Sequence, residues 1–403
     1  MGTWIHRRIK RIINGEYRMG MNKKNIYLIT IDCMRHDALI QENMPFLYLL
    51  QQESTTYNKA YATGPFTSAS FPSILGGIMP LKYGYYAPLP PQINMIQQTL
   101  QQKGYLTIGI NSNPYLSKFF GYNKGFIVFE DFLSYEKRTE NKNKIITMMK
   151  EWILGKVGVT SHTYNFLTQL YLKLHLPLPN TDASKSAYEQ NDKLKEILEL
   201  NKQELPLFVW QHYMDGHSPY TAIGKYRKQQ GFKGDSHRLN FIIHKNPEKI
   251  RLGEISELKK LYLASLSQID ENIKDLFLYL KTRGLLKDSL IIITADHGEE
   301  FGEHGGMTHF AKMTEELLHI PLIIFDNEKQ EKAIDDELLS LIEIPNFILS
   351  WLNLEKRERN KEFVQGECSY KNKLNFFEER TNIKGDFKEL KFIKKRLENI
   401  QKL

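Results

Sequence analysis

The strongest constraint on this chain is a set of short apolar runs that end in chemically active side chains. Residues 25–32, Asn-Ile-Tyr-Leu-Ile-Thr-Ile-Asp, stay apolar and finish on a carboxylate. Further runs occupy 105–110, 206–212, 289–295 and 320–325. Continuous apolar runs of this length suit strands buried on both faces of a parallel sheet. Helical patterns separate them. The clearest covers 254–283, where Ile255, Leu258, Tyr262, Leu266, Ile269 and Ile273 recur at helical spacing before Gly284 stops the pattern. Strands alternating with helices predict an α/β sheet sandwiched between helix layers. In such sheets, sites lie beyond the carboxyl ends of the strands. Three runs end in polar clusters there: Asp32, then Asp215 with His217, then Asp296 with His297.

With 403 residues, the chain has room for one large domain with an appendage, or for two domains. Cys33 and Cys368 are the only cysteines, which excludes a disulfide framework and fits a reducing compartment. The formal net charge of +8 is concentrated in part at the ends, around Arg7, Arg8, Lys10 and Arg11 and again around Lys391, Lys394, Lys395 and Arg396. Such runs suit an anionic surface as well as they suit solvated helix faces. No run approaches the roughly 18 apolar residues of a membrane span, and the basic start carries no continuous apolar stretch of a secretory signal. Residues 1–22 read as a basic amphipathic segment that lies on an anionic membrane or packs on the protein. The expected location is cytoplasmic or membrane-peripheral, and no nucleic acid is expected as a partner. Residues 139–180 read as a helical insertion, either a lid or partner surface or ordinary packing. Residues 221–250 read as a basic irregular surface loop, and residues 356–403 as a charged C-terminal appendage.

Four segments carry candidate chemistry. In Thr294-Ala-Asp-His-Gly-Glu-Glu-Phe-Gly-Glu-His-Gly305, the adjacent Asp296 and His297 suit a divalent cation that accepts mixed oxygen and nitrogen ligands, such as Mn²⁺ or Zn²⁺. Asp32, at the end of an apolar strand, must be satisfied by hydrogen bonds, a cap or a metal. Arg35 and Asp37 follow it and are placed to pair with each other. The stretch Gly64 to Gly77 offers the hydroxyls of Thr67, Ser68, Ser70 and Ser73. A hydroxyl at a helix start either caps the helix or, next to a dication, becomes a nucleophile. In His212 to Tyr220, His217 is placed to bind an anion or protonate a leaving oxygen, and Asp215 either to support a neighbouring ligand or to bind a second ion.

Together these segments resemble the sulfatase family of the alkaline phosphatase superfamily, from about residue 25 to 355. The resemblance also takes in Asp270 and the run Leu317-Leu318-His319-Ile320-Pro321. It implies an α/β domain over residues 23–355 with a large, mostly parallel central sheet. It implies one divalent ion, Mn²⁺ first with Mg²⁺, Ca²⁺ or Zn²⁺ as alternatives, on Asp32, Thr67, Asp296 and His297. It places Thr67 as nucleophile, His217 and His309 at the ester, and His304 and Asp215 as weaker substrate candidates. The departures carry information. Sulfatases use a cysteine or serine, converted to formylglycine, with a proline two residues on and an arginine four residues on. Here these positions hold Thr67, Ala69 and Phe71. Cys33 replaces a second aspartate, His297 an amide, and His309 a lysine. Threonine cannot become formylglycine, so the resemblance points to the branch that uses threonine on phosphorus: phosphoglycerol and phosphoethanolamine transferases and phosphodiesterases. The expected substrate is an anionic ester, a glycan or lipid head group. The alternatives are a sulfuric ester hydrolase that works without formylglycine and an inactive anionic-glycan-binding protein.

Overall fold

The computed structural model describes residues 24–133 apart from 81, 83–88, 90 and 91, residues 185–354 apart from 202–204, 310, 311 and 329–331, and the backbone of 364–372, 375–383 and 391–397. The expected basic segment 1–22 and the insertion 139–180 lie outside the described residues.

Chain order runs β1 (Asn25–Ile31), α1 (Pro45–Gln52), β2 (Thr55–Tyr61), α2 (Thr67–Gly76), α3 (Ile96–Gln102), β3 (Leu106–Asn111), β4 (Val128–Glu130), α4 (Ala187–Asn201), β5 (Leu207–Tyr213), α5 (Gly224–Gln229), α6 (Ser236–Lys245), α7 (Leu252–Thr282), β6 (Ser289–Ala295), a two-stranded ribbon of β7 (Glu300–Phe301) and β8 (Met307–Thr308), α8 (Glu315–Leu318), β9 (Leu322–Asp326), β10 (Ala333–Ser340) and α9 (Ile344–Trp351). Eight strands form one sheet in the order β10-β2-β9-β6-β1-β5-β3-β4. All neighbours pair parallel except β9, which is antiparallel to both β6 and β2. The expected run at 320–325 is therefore a strand of reversed direction. Its apolar composition carries no sign of that, because direction is set by the connection and not by the side chains.

Every residue of β1, β3, β5 and β6 is buried, as their unbroken apolar runs require. The long helix α7 packs on this centre, with Ile273, Leu276 and Leu280 facing Tyr27, Ile29, Ile291 and Ile293. Gly284, at φ +68°, takes the left-handed turn that ends the helix region. Residues 221–250 are not an irregular loop. They form α5 and α6, with Tyr226, Leu239, Ile242 and Ile243 buried. The many basic residues of this stretch occupy the outer faces, which masks the apolar spacing in the sequence. Beyond α9 the backbone forms a three-stranded antiparallel sheet, β11 (Val364–Asn372), β12 (Asn375–Ile383) and β13 (Lys391–Leu397).

One buried carboxylate of α7 holds the sheet-flanking helices in place. Met44, at the N-cap of α1, offers no side-chain cap. Asp270 supplies it instead, accepting from Phe46 N at 2.9 Å and Leu47 N at 2.8 Å. Burial pushes its pKa up to about 6, against those two donors. We expect Asp270→Ala to cost about 1–2 kcal/mol of stability, because two helix N–H groups are left unpaired. Asp270→Asn, which keeps one acceptor, loses less. Urea denaturation checks this by a lowered midpoint at unchanged m.

Candidate metal centre and active site

Register gathers the site. Ile31, the last residue of β1, pairs with Tyr213 of β5 and Ala295 of β6, and Asn111 at the end of β3 pairs with His212. Four parallel strands thus end within a residue of one level, and Asp32 and the Asp296–His297 pair, which follow two of them, come together beside His212 of a third. Asp32, Asp296 and His297 are fully buried there. Thr67 enters from the side as the first residue of α2. Its Oγ1 lies 3.3 Å from His297 Nε2 and 3.5 Å from Asp32 Oδ2. The N-cap of α2 is Phe66, with no side-chain cap bond. Of the two roles open to the Thr67 hydroxyl, capping is not the one it performs. Phe71 seats this helix, its ring 5.0 Å edge-on from His212 and 5.3 Å from Trp210. An arginine at that position would have no water for its charge.

The turn after β1 is strained and clamped. Cys33 sits at φ +61°, a conformation costly for a side chain with a Cβ. Tyr262 of α7 holds it, donating to Cys33 O at 2.9 Å and accepting from Arg35 N at 3.0 Å. Arg35 pairs with Asp37 through both arms at 2.8 and 2.7 Å, and reaches Glu303 at 2.6 Å and Glu299 O at 3.1 Å. It ties the β1 turn to the loop after β6. Two glycines allow the backbones to close. A Cβ on Gly216 would meet Asp32 O at 2.3 Å, and one on Gly298 would meet Glu316 O at 1.9 Å.

The charges are arranged unevenly. Burial alone would raise Asp32, but the His212 hydrogen bond and the nearby imidazoles hold it well below the usual range. Burial and the Asp32 charge push its neighbour Asp296 up to about 7. Burial keeps His297 neutral. Its Nδ1 faces Gly298 O at 2.8 Å, and a carbonyl only accepts, so Nδ1 carries the proton and Nε2 presents a lone pair. That nitrogen lies 3.5 Å from both Asp32 Oδ1 and Asp296 Oδ2. Behind it, Glu299 is fully buried and bonds His309 Nδ1 at 3.0 Å and the Tyr220 hydroxyl at 2.9 Å. Burial disfavours a charge on His309, but Glu299 outweighs it and raises the imidazole to about 9. The His309 ring stands 4.5 Å from His297 and 4.9 Å from His217. His217 gives its Nδ1 proton to the Ser218 carbonyl.

Two sequence candidates sit elsewhere. Asp215 accepts from Ala187 N at 2.9 Å, at the start of α4. It ends the same strand as His212 but turns away to that helix. His304 is exposed and pairs with Glu316 at 2.9 Å, outside the buried group. Three residues not singled out in the sequence belong to the site. His212 is fully buried, with Nε2 3.2 Å from Asp32 Oδ2. A carboxylate only accepts, so His212 donates from Nε2, and its Nδ1 faces the Thr30 hydroxyl at 2.9 Å. Its signal was an imidazole inside an apolar run. Glu299 had the crowding of acids and histidines around it. Asn113 lies 3.2 Å from Asp32 Oδ2 and carried no signal beyond following a strand.

The donor set fits a divalent cation. Asp296 Oδ2 is buried and has no hydrogen-bond partner. Asp32, His297 and Cys33 present ligand atoms within 4.8 Å of one another, and His297 Nε2 lies 3.5 Å from Asp296 Oδ2. Converging lone pairs of this kind need a cation between them. The mixed oxygen and nitrogen set suits Mn²⁺ or Zn²⁺ better than Mg²⁺, which favours oxygen alone. Above about pH 8, where Asp296 is ionised, we expect Asp296→Asn to raise the stability of the metal-free protein by about 1–2 kcal/mol, since an amide replaces a buried anion beside Asp32. Thermal melts in chelator check this: a rise of roughly 2–4 °C per kcal/mol is expected, with stabilisation by added Mn²⁺ lost.

Comparison with known proteins gives the family. The sulfatase family model matches residues 24–354. Arylsulfatase K of Mus musculus is 21% identical over 363 residues, covering 81% of this chain and 60% of that protein. The chain spans between 20% and 60% of the length of the curated relatives it matches. Phosphonate monoester hydrolase of Agrobacterium radiobacter superposes with a TM-score of 0.62 at 15% identity, over 93% of this chain and 89% of that one. The lipoteichoic acid synthase LtaP of Listeria monocytogenes superposes with a TM-score of 0.58 at 13% identity, over 98% and 92%. Among the described residues, no helix is long and apolar enough to cross a membrane. The chain belongs to the sulfatase family.

Proposed function

We propose that this protein cleaves a phosphate ester, a phosphodiester or phospho-alcohol head group on a glycan or lipid, through a covalent intermediate on Thr67. The observation that carries this reading is the placement of Thr67 Oγ1 against His297 and Asp32, at 3.3 and 3.5 Å, where a helix start points into the pocket. A phosphonate monoester hydrolase and a lipoteichoic acid synthase among the structural neighbours accord with phosphorus chemistry.

The steps follow from the side chains. Thr67 Oγ attacks phosphorus in line. Its proton passes to Asp296, whose carboxyl has the raised pKa and interacts with the Thr67 hydroxyl. The Oγ–P bond forms as the bond from phosphorus to the departing oxygen breaks. His309, which Glu299 keeps protonated, gives that oxygen its proton. Water or an acceptor hydroxyl then attacks phosphorus and passes its proton back to His309. The P–Oγ bond breaks and Thr67 recovers its proton. A dication held by Asp32, Thr67, Asp296 and His297, with Mn²⁺ the first choice, supplies Lewis-acid neutralisation of the ester charge.

Sulfate ester hydrolysis is the second reading, supported by the arylsulfatase K match and opposed by the threonine at the nucleophile position. Turnover of bis-p-nitrophenyl phosphate, p-nitrophenyl phosphate and p-nitrophenyl sulfate with added Mn²⁺ separates the two. We expect diester cleavage, lost in chelator. Thr67→Ala should lower kcat/KM roughly a thousandfold or more, while Thr67→Ser keeps measurable turnover. Cleavage of the sulfate alone, or full activity in Thr67→Ala, would overturn the phosphorus reading.

A further inference from the structure

We propose that Asn113 is a catalytic residue whose side-chain amide donates to the Thr67 oxygen and stabilises its charge as the covalent intermediate forms and breaks. The inference rests on Thr67 being the nucleophile. Asn113 follows β3 at the same sheet edge as the metal-binding candidates and is 3% exposed. Its Nδ2 lies 3.4 Å from Thr67 Oγ1 and 3.2 Å from Asp32 Oδ2.

The orientation of this amide follows from its other end. Oδ1 accepts from Tyr115 N at 3.0 Å and caps the 3₁₀ turn Pro114–Leu116. The Asn113 backbone N–H is held by Asn111 Oδ1 at 3.1 Å. A flipped amide would set its oxygen against the Asp32 carboxylate and its NH₂ against the Tyr115 N–H. Both contacts are repulsive, so the donor faces the site. The neighbouring hydroxyls of α2 are engaged elsewhere. Ser70 donates to Gly64 O at 2.9 Å, and Ser73 to Ile78 O at 2.6 Å.

The chemistry needs such a donor twice. The Thr67 oxygen becomes anionic when it loses its proton, and again when the P–Oγ bond breaks. A hydrogen bond to a charged oxygen is about twice as strong as one to a neutral oxygen. A donor fixed in advance in a dry pocket stabilises the charge without reorganising. The resting contact to Thr67 is long, and it shortens as charge develops on that oxygen.

Asn113→Asp isolates the role, because it keeps the volume and the acceptor for Tyr115 N while replacing the donor with an anion. With bis-p-nitrophenyl phosphate and Mn²⁺, we expect kcat to fall roughly 10²–10³-fold with KM within a few-fold. Because a third carboxylate beside Asp32 is expected to lower the melting temperature and to change Mn²⁺ affinity, kcat is read at Mn²⁺ concentrations that calorimetry shows to be saturating for each variant. Asn113→Ala should lose turnover similarly while also losing some stability through the broken cap. Wild-type kcat in Asn113→Asp overturns the inference. So does a loss of turnover that merely follows lost Mn²⁺ binding. Thr67→Ala is assayed in parallel. If it stays active, the nucleophile reading itself falls; if it is inactive while Asn113→Asp is not, only the role of Asn113 falls.

Discussion

Two buried carboxylates set the terms for everything around them. Asp32 and Asp296 end adjacent parallel strands, and the register of β1 on β6 leaves them no freedom to separate. In a dry interior their repulsion is expensive. The fold answers with a proton donor on one side, His212 on Asp32, and an orphaned oxygen on the other, Asp296 Oδ2. That imbalance is a site waiting for positive charge, and the neutral His297 nitrogen between them completes it. Stability given up here is the usual cost of a functional centre.

Holding this arrangement takes structure far from the chemistry. Helix α7 braces the site at one point and a flanking helix at another, without entering the site. Tyr262 clamps the Cys33 turn, and Asp270 caps α1. Arg35 then laces the turn to the loop beyond β6, where Gly298 allows the closest backbone approach. Behind Asp32 and His297, the buried Glu299 bonds His309 and the Tyr220 hydroxyl, which sets a carboxylate–imidazole pair beside the two aspartates.

Much of this was legible in the chain. The apolar runs at 25–32, 105–110, 206–212 and 289–295 became strands within a residue of their expected ends, because a strand buried on both faces cannot tolerate polar interruption. The reversed β9, the helices of 221–250 and the antiparallel sheet after α9 were not legible, since direction and the outer faces of basic helices leave little trace in periodicity. Within the site, Asp32, Thr67, Asp296, His297, His217 and His309 converge. Asp215 left the group for a helix start one strand-end away, a choice between two nearby donors that only coordinates express.

Taken alone, the amino-acid sequence determined the layered α/β architecture and the residue types able to do metal-assisted ester chemistry, because burial and donor chemistry are local properties of the side chains. Only the tertiary structure decided the partnerships: His212 on Asp32, Glu299 on His309, Asn113 on Thr67. Those contacts join residues far apart in the chain through strand register and helix seating, and register is a property of how the strands meet, which no single segment encodes.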